Sequence, residues 1–212
     1  MNAPETPAAS AAPAKPEAPA IRELPLFPLG SIVFPGGPLP LRIFEPRYVE
    51  LVKRCMQTGT GFGVVLLLRG SEVGNAPATT AGIGTEVGIV DFDRLPDGLL
   101  GITCRGQRRF RLRRAWRADS GLNIGEVEDL PPVPRTPIPA DLQWLGEILE
   151  RVMPELGADY ATLEKDYGDA EWVSGRLAEI LAMETVERQG LLEIDDPVAR
   201  LRRLVPHIRT AD

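Results

Sequence analysis

The sequence predicts an α+β chain, a curled strand-built half followed by an all-helical half. Three observations carry this. Short apolar runs separated by Pro-Gly, Pro-Asp-Gly and Asp-Ser-Gly turns fill residues 24–127. Glycines at 82, 84 and 88 interrupt the strand region 79–91, as bulges or close backbone approaches in a closed or nearly closed barrel require. Beyond residue 140 the apolar residues recur at helical spacing.

The elements follow in order. Leu24, Leu26, Phe27 and Leu29 form a first strand, read as an edge or entry strand because Pro25 and Pro28 cannot donate to a ladder. Pro35-Gly36 fits the central positions of a type II turn. Leu39, Leu41 and Ile43 alternate with Pro40 and Arg42, the pattern of a second, half-buried strand. Glu45 and Pro46 open a helix whose apolar positions are Tyr48, Val49, Leu51, Val52, Cys55 and Met56, and Gly59 closes it. Strands follow at 61–68, 79–91, 99–104, 108–116 and 122–127, with Pro96-Asp97-Gly98 as a hairpin turn. Five prolines in residues 130–139 make a stiff extended linker. Leu142, Leu145, Ile148, Leu149 and Val152 then share one helical face, and Trp172, Val173, Leu177, Ile180 and Leu181 another. Residues 185–192 make a short helix, and Asp195-Asp196-Pro197 starts the last one.

Composition bounds the function. The chain has 212 residues, enough for one large or two small domains. Residues 1–20 are mostly alanine and proline, read as a disordered tail and not as a secretory signal. No apolar run approaches the roughly 20 residues that a membrane span needs. Cys55 and Cys104 are read as buried free thiols, which fits a cytoplasmic protein, and they make neither a disulfide framework nor a zinc site. The single histidine, His207, supports no metal site and no catalytic triad. Charge is uneven. Seven arginines (105, 108, 109, 111, 113, 114 and 117) stand within thirteen acid-free residues, so the remainder carries −13 of a net −6.

The motifs resemble a known family. Leu24-Pro-Leu-Phe-Pro-Leu29, Phe34-Pro-Gly36, Phe44-Glu-Pro-Arg-Tyr48 and Gly70-Ser-Glu-Val-Gly74 are similar to the Lon protease N-terminal substrate-binding (LAN) domain. So are Ile83-Gly-Thr85, Leu95-Pro-Asp-Gly98 with Arg105-Gly106 and Arg109-Phe110, and the helical residues Arg188-Gln189, Leu191-Leu-Glu193, Asp195-Asp-Pro197 and Arg200-Leu201. The resemblance implies a PUA-like β-barrel over residues 21–131, then the proline-rich linker and a C-terminal helical bundle over 132–212. The closest kin it implies are stand-alone bacterial forms without ATPase or protease domains. No phosphate-binding loop of the Gly-x-x-x-x-Gly-Lys type occurs, and Lys15, Lys53 and Lys165 have no context for a Ser-Lys dyad.

The expectation is therefore a non-enzymatic, cytoplasmic, proteolysis-related module without cofactor or metal, binding a polypeptide or protein partner, with self-association left open. Candidate contacts are Phe44, Glu45, Arg47, Tyr48 and Glu72, with strand addition to a glycine-rich edge as the mode. The competing reading pairs Arg47 with Glu45 or Glu72 and packs Tyr48. The alternative function is nucleic-acid binding by the strand 109–117, with Arg109, Arg111, Arg113 and Arg117 on one face and Phe110, Leu112 and Trp116 on the other. Against this stands pairing of those arginines with the acidic helical half.

Overall fold

The computed structural model describes residues 21–70 and 79–208. The strand-built half runs β1 (Ile21–Leu29), β2 (Pro38–Ile43), α1 (Pro46–Thr58), β3 (Phe62–Arg69), β4 (Thr79–Arg94), β5 (Leu100–Arg117) and β6 (Asn123–Asp129). The helices α2 (Gln143–Val152), α3 (Ala158–Ala161), α4 (Ala170–Ile180), α5 (Thr185–Leu192) and α6 (Pro197–Leu204) follow. No helix among the described residues is long and apolar enough to cross a membrane.

The strands form one mixed sheet, β2-β5-β4-β3-β1-β6, in which β6 also pairs with β5. The pairings therefore run β5-β4-β3-β1-β6 and return to β5, with β2 attached outside the circuit. Only β1 and β3 are parallel, and β2 and α1 supply the long crossover that a parallel pair needs.

The turn before β2 follows its sequence. Gly36 has φ +76° and the Gly37 N–H donates to the Phe34 carbonyl at 2.9 Å. This turn is also stitched to β5: Gly36 donates to the Gly106 carbonyl and Gly106 to the Gly37 carbonyl, at 2.8 and 2.9 Å. A Cβ on Gly106 would lie 2.1 Å from the Phe34 oxygen. That contact corrects the sequence expectation of two strands split near this glycine. β5 is one strand of 18 residues, and Gly106 is the point where another backbone approaches it.

The position of β1 is a second correction. It is no edge strand, since it pairs with both β6 and β3. The pairing is staggered: residues 21–26 face β6 and residues 26–29 face β3. Pro25 and Pro28 therefore each have a strand on one side only, which reconciles them with an interior position.

Helix α1 has Glu45 at its N-cap, Pro46 in its first turn and Gly59 closing it at φ +66°. It buries Tyr48, Leu51, Val52 and Cys55 against Phe27, Phe62, Ile102 and Cys104. Val49 and Met56, expected on that face, are 39% and 47% exposed. The buried stripe is narrower than the apolar one.

The linker is not a free spacer. The Thr136 N–H donates to the Asp169 carboxylate at 2.8 Å, Ala170 donates to the Thr136 carbonyl at 2.7 Å, and Ile138 is buried. Prolines remove donors from their own positions, and the residues between them still bond.

The helices share a second core of Leu145, Leu149, Val173, Leu177, Leu191 and Leu201, joined by Phe34 and Ile83 from the strand half. Asp169 and Asp196 cap α4 and α6 by accepting from Trp172 and Val198 N–H groups. Helix C-termini are closed by arginines. Arg188 donates to the Ala178 and Leu181 carbonyls at 2.8 and 3.1 Å. Arg200, fully buried, donates to the Leu191 and Ile194 carbonyls at 3.0 and 2.7 Å and pairs with Glu171 at 2.8 Å. These guanidiniums satisfy carbonyls that a helix end leaves without partners.

Candidate functional site

The residues singled out around the start of α1 form a compact joint. Glu45 pairs with Arg47 at 2.9 Å, and Arg47 also donates to the Gly121 carbonyl at 3.2 Å. The Arg47 guanidinium lies 4.7 Å from the centre of the Tyr48 ring, and Tyr48, buried, stacks on Phe27 at 3.9 Å. Arg117 donates to the same Gly121 carbonyl at 3.1 Å. Two arginines thus hold the β5–β6 turn against the helix start. Phe44 differs from its neighbours, with 56% of its surface exposed. Glu72 lies outside the described residues.

The arginine-rich strand does not present the arrangement read from its alternation. Arg109 is buried at 5% exposure, donating to the Leu192 carbonyl at 2.8 Å and pairing with Asp195 at 2.9 Å. It joins β5 to the helical half and is unavailable to an external phosphate, so the shared face of Arg109, Arg111, Arg113 and Arg117 is corrected. The register slips between Leu112 and Arg114, which breaks the expected phase. Arg114 then stacks on Trp116 at 5.0 Å, placing that aromatic on an arginine's own side.

The charge balance is local as well. Arg113 pairs with Glu128, Arg114 with Glu126 at 3.4 Å, and Arg108 with Asp129 and Glu86 at 3.2 and 3.3 Å. The acids come mainly from β6 and β4, whereas the sequence reading placed them in the helical half. Arg22 completes this group by pairing with Glu86 and Asp129 at 2.5 and 2.8 Å. Exposed pairs of this kind contribute about 0–1 kcal/mol each. Arg113→Ala and Arg114→Ala are therefore each expected to shift stability by less than about 1 kcal/mol, read from the urea midpoint. A loss several times larger would show that these pairs hold the β5–β6 ladder.

Both cysteines are buried, and burial followed by the neighbouring Cys55 pushes the Cys104 thiol up to about 12, so it is no thiolate nucleophile at neutral pH. No group of histidine, cysteine or carboxylate side chains among the described residues could hold a metal ion.

Sequence reasoning missed two adjoining grooves. The first, about 310 Å³, lies between the end of α1 (Cys55, Met56, Gly59) and β4 (Ile89, Val90, Phe92). The second, about 390 Å³, is lined by Pro40, Arg42, Asp91, Asp93 and Leu95 over β5. Asp91 and Phe92 border both. Met56, Val90 and Phe92 are 47%, 55% and 57% exposed. The sequence reading ends this strand at Asp91, whereas β4 runs on to Arg94. The missing signal is non-local: β3 begins opposite Val87, so the rest of β4 is uncovered.

Comparison with known proteins places this architecture. The family model for the ATP-dependent protease La (LON) substrate-binding domain matches residues 23–210. Lon protease from Cytophaga hutchinsonii is 26% identical over 184 residues, covering 84% of this chain and 23% of the relative. Lon protease 2 from Myxococcus xanthus is 27% identical, with 84% and 22% covered. The chain thus spans less than a quarter of the length of these curated relatives, and the family match is to a substrate-binding domain. The crystal structure of a Lon N-terminal domain protein from Xanthomonas campestris is 39% identical with a TM-score of 0.74, covering 89% of this chain and all of that one. The N-terminal domain of Mycobacterium avium complex Lon protease, 17% identical with a TM-score of 0.60, shares the fold. The chain belongs to the ATP-dependent protease La (LON) substrate-binding domain family.

Proposed function

We propose that this chain is a non-enzymatic module that binds polypeptide substrates or a protein partner, working in the cytoplasm. The observation that carries the reading is an open groove with three exposed apolar side chains, Met56, Val90 and Phe92, on a chain of a substrate-binding family. Exposed apolar surface of this kind is what recognition of unfolded chain uses. The pairing circuit of β5-β4-β3-β1-β6 supports a PUA-like barrel over residues 21–131. The apolar core shared by the later helices supports a proline-rich linker and helical bundle over 132–212. Among the described contact candidates Phe44, next to the Glu45–Arg47 joint, is the one whose side chain is largely exposed.

The nucleic-acid alternative has less behind it, because Arg109 is internal and Arg113, Arg114 and Arg108 are paired with acids. The test is retention of a reduced, carboxymethylated model protein on the immobilised full chain. Retention above that on an unrelated barrel protein is the expected result, and equal retention overturns the reading.

A further inference from the structure

β4 outlasts its neighbour. β3 pairs with β4 only up to Phe62 opposite Val87, whereas β4 continues to Arg94. Over residues 88–94 it bonds to β5 on one side, and no strand among the described residues covers the other. The Leu95 N–H donates to the Leu99 carbonyl, toward β5. By alternation the Arg94 and Phe92 N–H groups turn outward, onto the open edge.

Those two outward donors are not left bare. The Phe92 N–H donates to the Asp91 carboxylate at 2.8 Å and the Arg94 N–H to the Asp93 carboxylate at 2.7 Å. Each carboxylate does what the carbonyl of an adjoining strand would do. Neither aspartate pairs with a cation among the described residues, and Arg42, which lines the same groove, is paired with Asp97. The edge therefore has two negative charges in want of a counter-charge. It also has an apolar neighbour, since Phe92 points to the opposite face from Asp91 and Asp93, and Met56 lines the groove beside it.

We propose that residues 88–94 of β4 form the docking strip for an extended polypeptide whose side chains alternate between apolar and basic. The incoming strand continues the line of β3. Its lysines or arginines draw Asp91 and Asp93 off the backbone, and its carbonyls then accept from the freed Phe92 and Arg94 N–H groups. Its apolar side chains fall on the Phe92 side, because both chains have a period of two. The aspartates thus select the ligand's charge, and their hold on the backbone keeps uncharged or acidic strands off an otherwise adhesive edge. This rests on the polypeptide-binding reading above and specifies its site.

The test compares an alternating leucine–lysine decapeptide with its leucine–glutamate counterpart on the full chain, by anisotropy and by amide hydrogen exchange. The lysine peptide is expected to bind at least about tenfold more tightly, a difference of about 1.4 kcal/mol. It should also slow exchange at Phe92 and Arg94. In the Asp91→Asn, Asp93→Asn double variant the amide oxygens still cap the edge, so the fold is kept while the charge preference disappears. If carboxymethylated protein is retained but residues 88–94 stay unprotected by either peptide, the docking strip is wrong and polypeptide binding stands. If neither peptides nor unfolded protein bind, both fall. Protection that rises with protein concentration in the absence of peptide would mean that a second copy occupies the edge, which also overturns the proposal.

Discussion

Glu179→Ala is expected to destabilise the protein by about 3–5 kcal/mol, the cost of leaving one partner of a buried ion pair alone. Arg176 and Glu179 sit together beneath the 34–37 turn, with side chains 0% and 6% exposed and 2.8 Å apart. Glu179 accepts from the Phe34 N–H at 3.1 Å and from the Tyr160 hydroxyl at 3.4 Å, while Arg176 donates to the Pro35 carbonyl at 3.0 Å. A Cβ on Gly37 would meet the Glu179 carboxylate at 1.9 Å, so the helix side chain lies directly on the turn's backbone. Truncating Glu179 therefore strands a guanidinium and a backbone N–H away from water at the same time. Urea unfolding with an unchanged slope reads the loss. The Arg176→Met, Glu179→Leu double variant removes both charges and should recover more than half of it, since a well-packed apolar pair can match a buried ionic one. A double variant no more stable than Glu179→Ala would show that the turn needs the hydrogen bonds and not merely charge balance.

Arg200→Ala is the second large effect, again about 3–5 kcal/mol. It strips two carbonyls at the end of α5, the Glu171 carboxylate and the Ser174 hydroxyl, which lies 3.2 Å from the guanidinium. Lysine is expected to rescue less than half, because a single ammonium on a flexible stem cannot reach partners spread around a planar fork. The Arg200 guanidinium also lies 5.7 Å from the Phe34 ring centre, and Glu179 holds the backbone of that same residue. Variants at 179 and 200 should therefore combine non-additively, where distant sites would add within about 0.5 kcal/mol.

Local chemistry was legible in the sequence and long-range chemistry was not. Pro35-Gly36, the Glu45-Pro46 helix start, Gly59 and Asp196-Pro197 each act within four residues, and each stands where the residue types place it. Arg109 failed because alternation cannot foresee the Leu192 carbonyl and the carboxylate 86 positions away that it meets, and the slip after Leu112 puts Arg113 and Arg117 out of phase with it. Gly106 looked like an interruption because nothing in its surroundings announces that Phe34 will press against it. The exposure of Val90 and Phe92 was not legible, because it depends on where a different strand begins. The pairing of Glu45 with Arg47 and the packing of Tyr48 were visible as the plainer of two readings.

The staggered pairing of β1 carries a meaning for synthesis. Arg22 meets Asp129 across 107 positions, and the Phe34 N–H meets Glu179 across 145. A ribosome delivers the first strand and first turn early and their final partners last. Until α4 has emerged, that turn has no carboxylate to hold it, so its bonds to β5 can form before its anchor to Glu179 does.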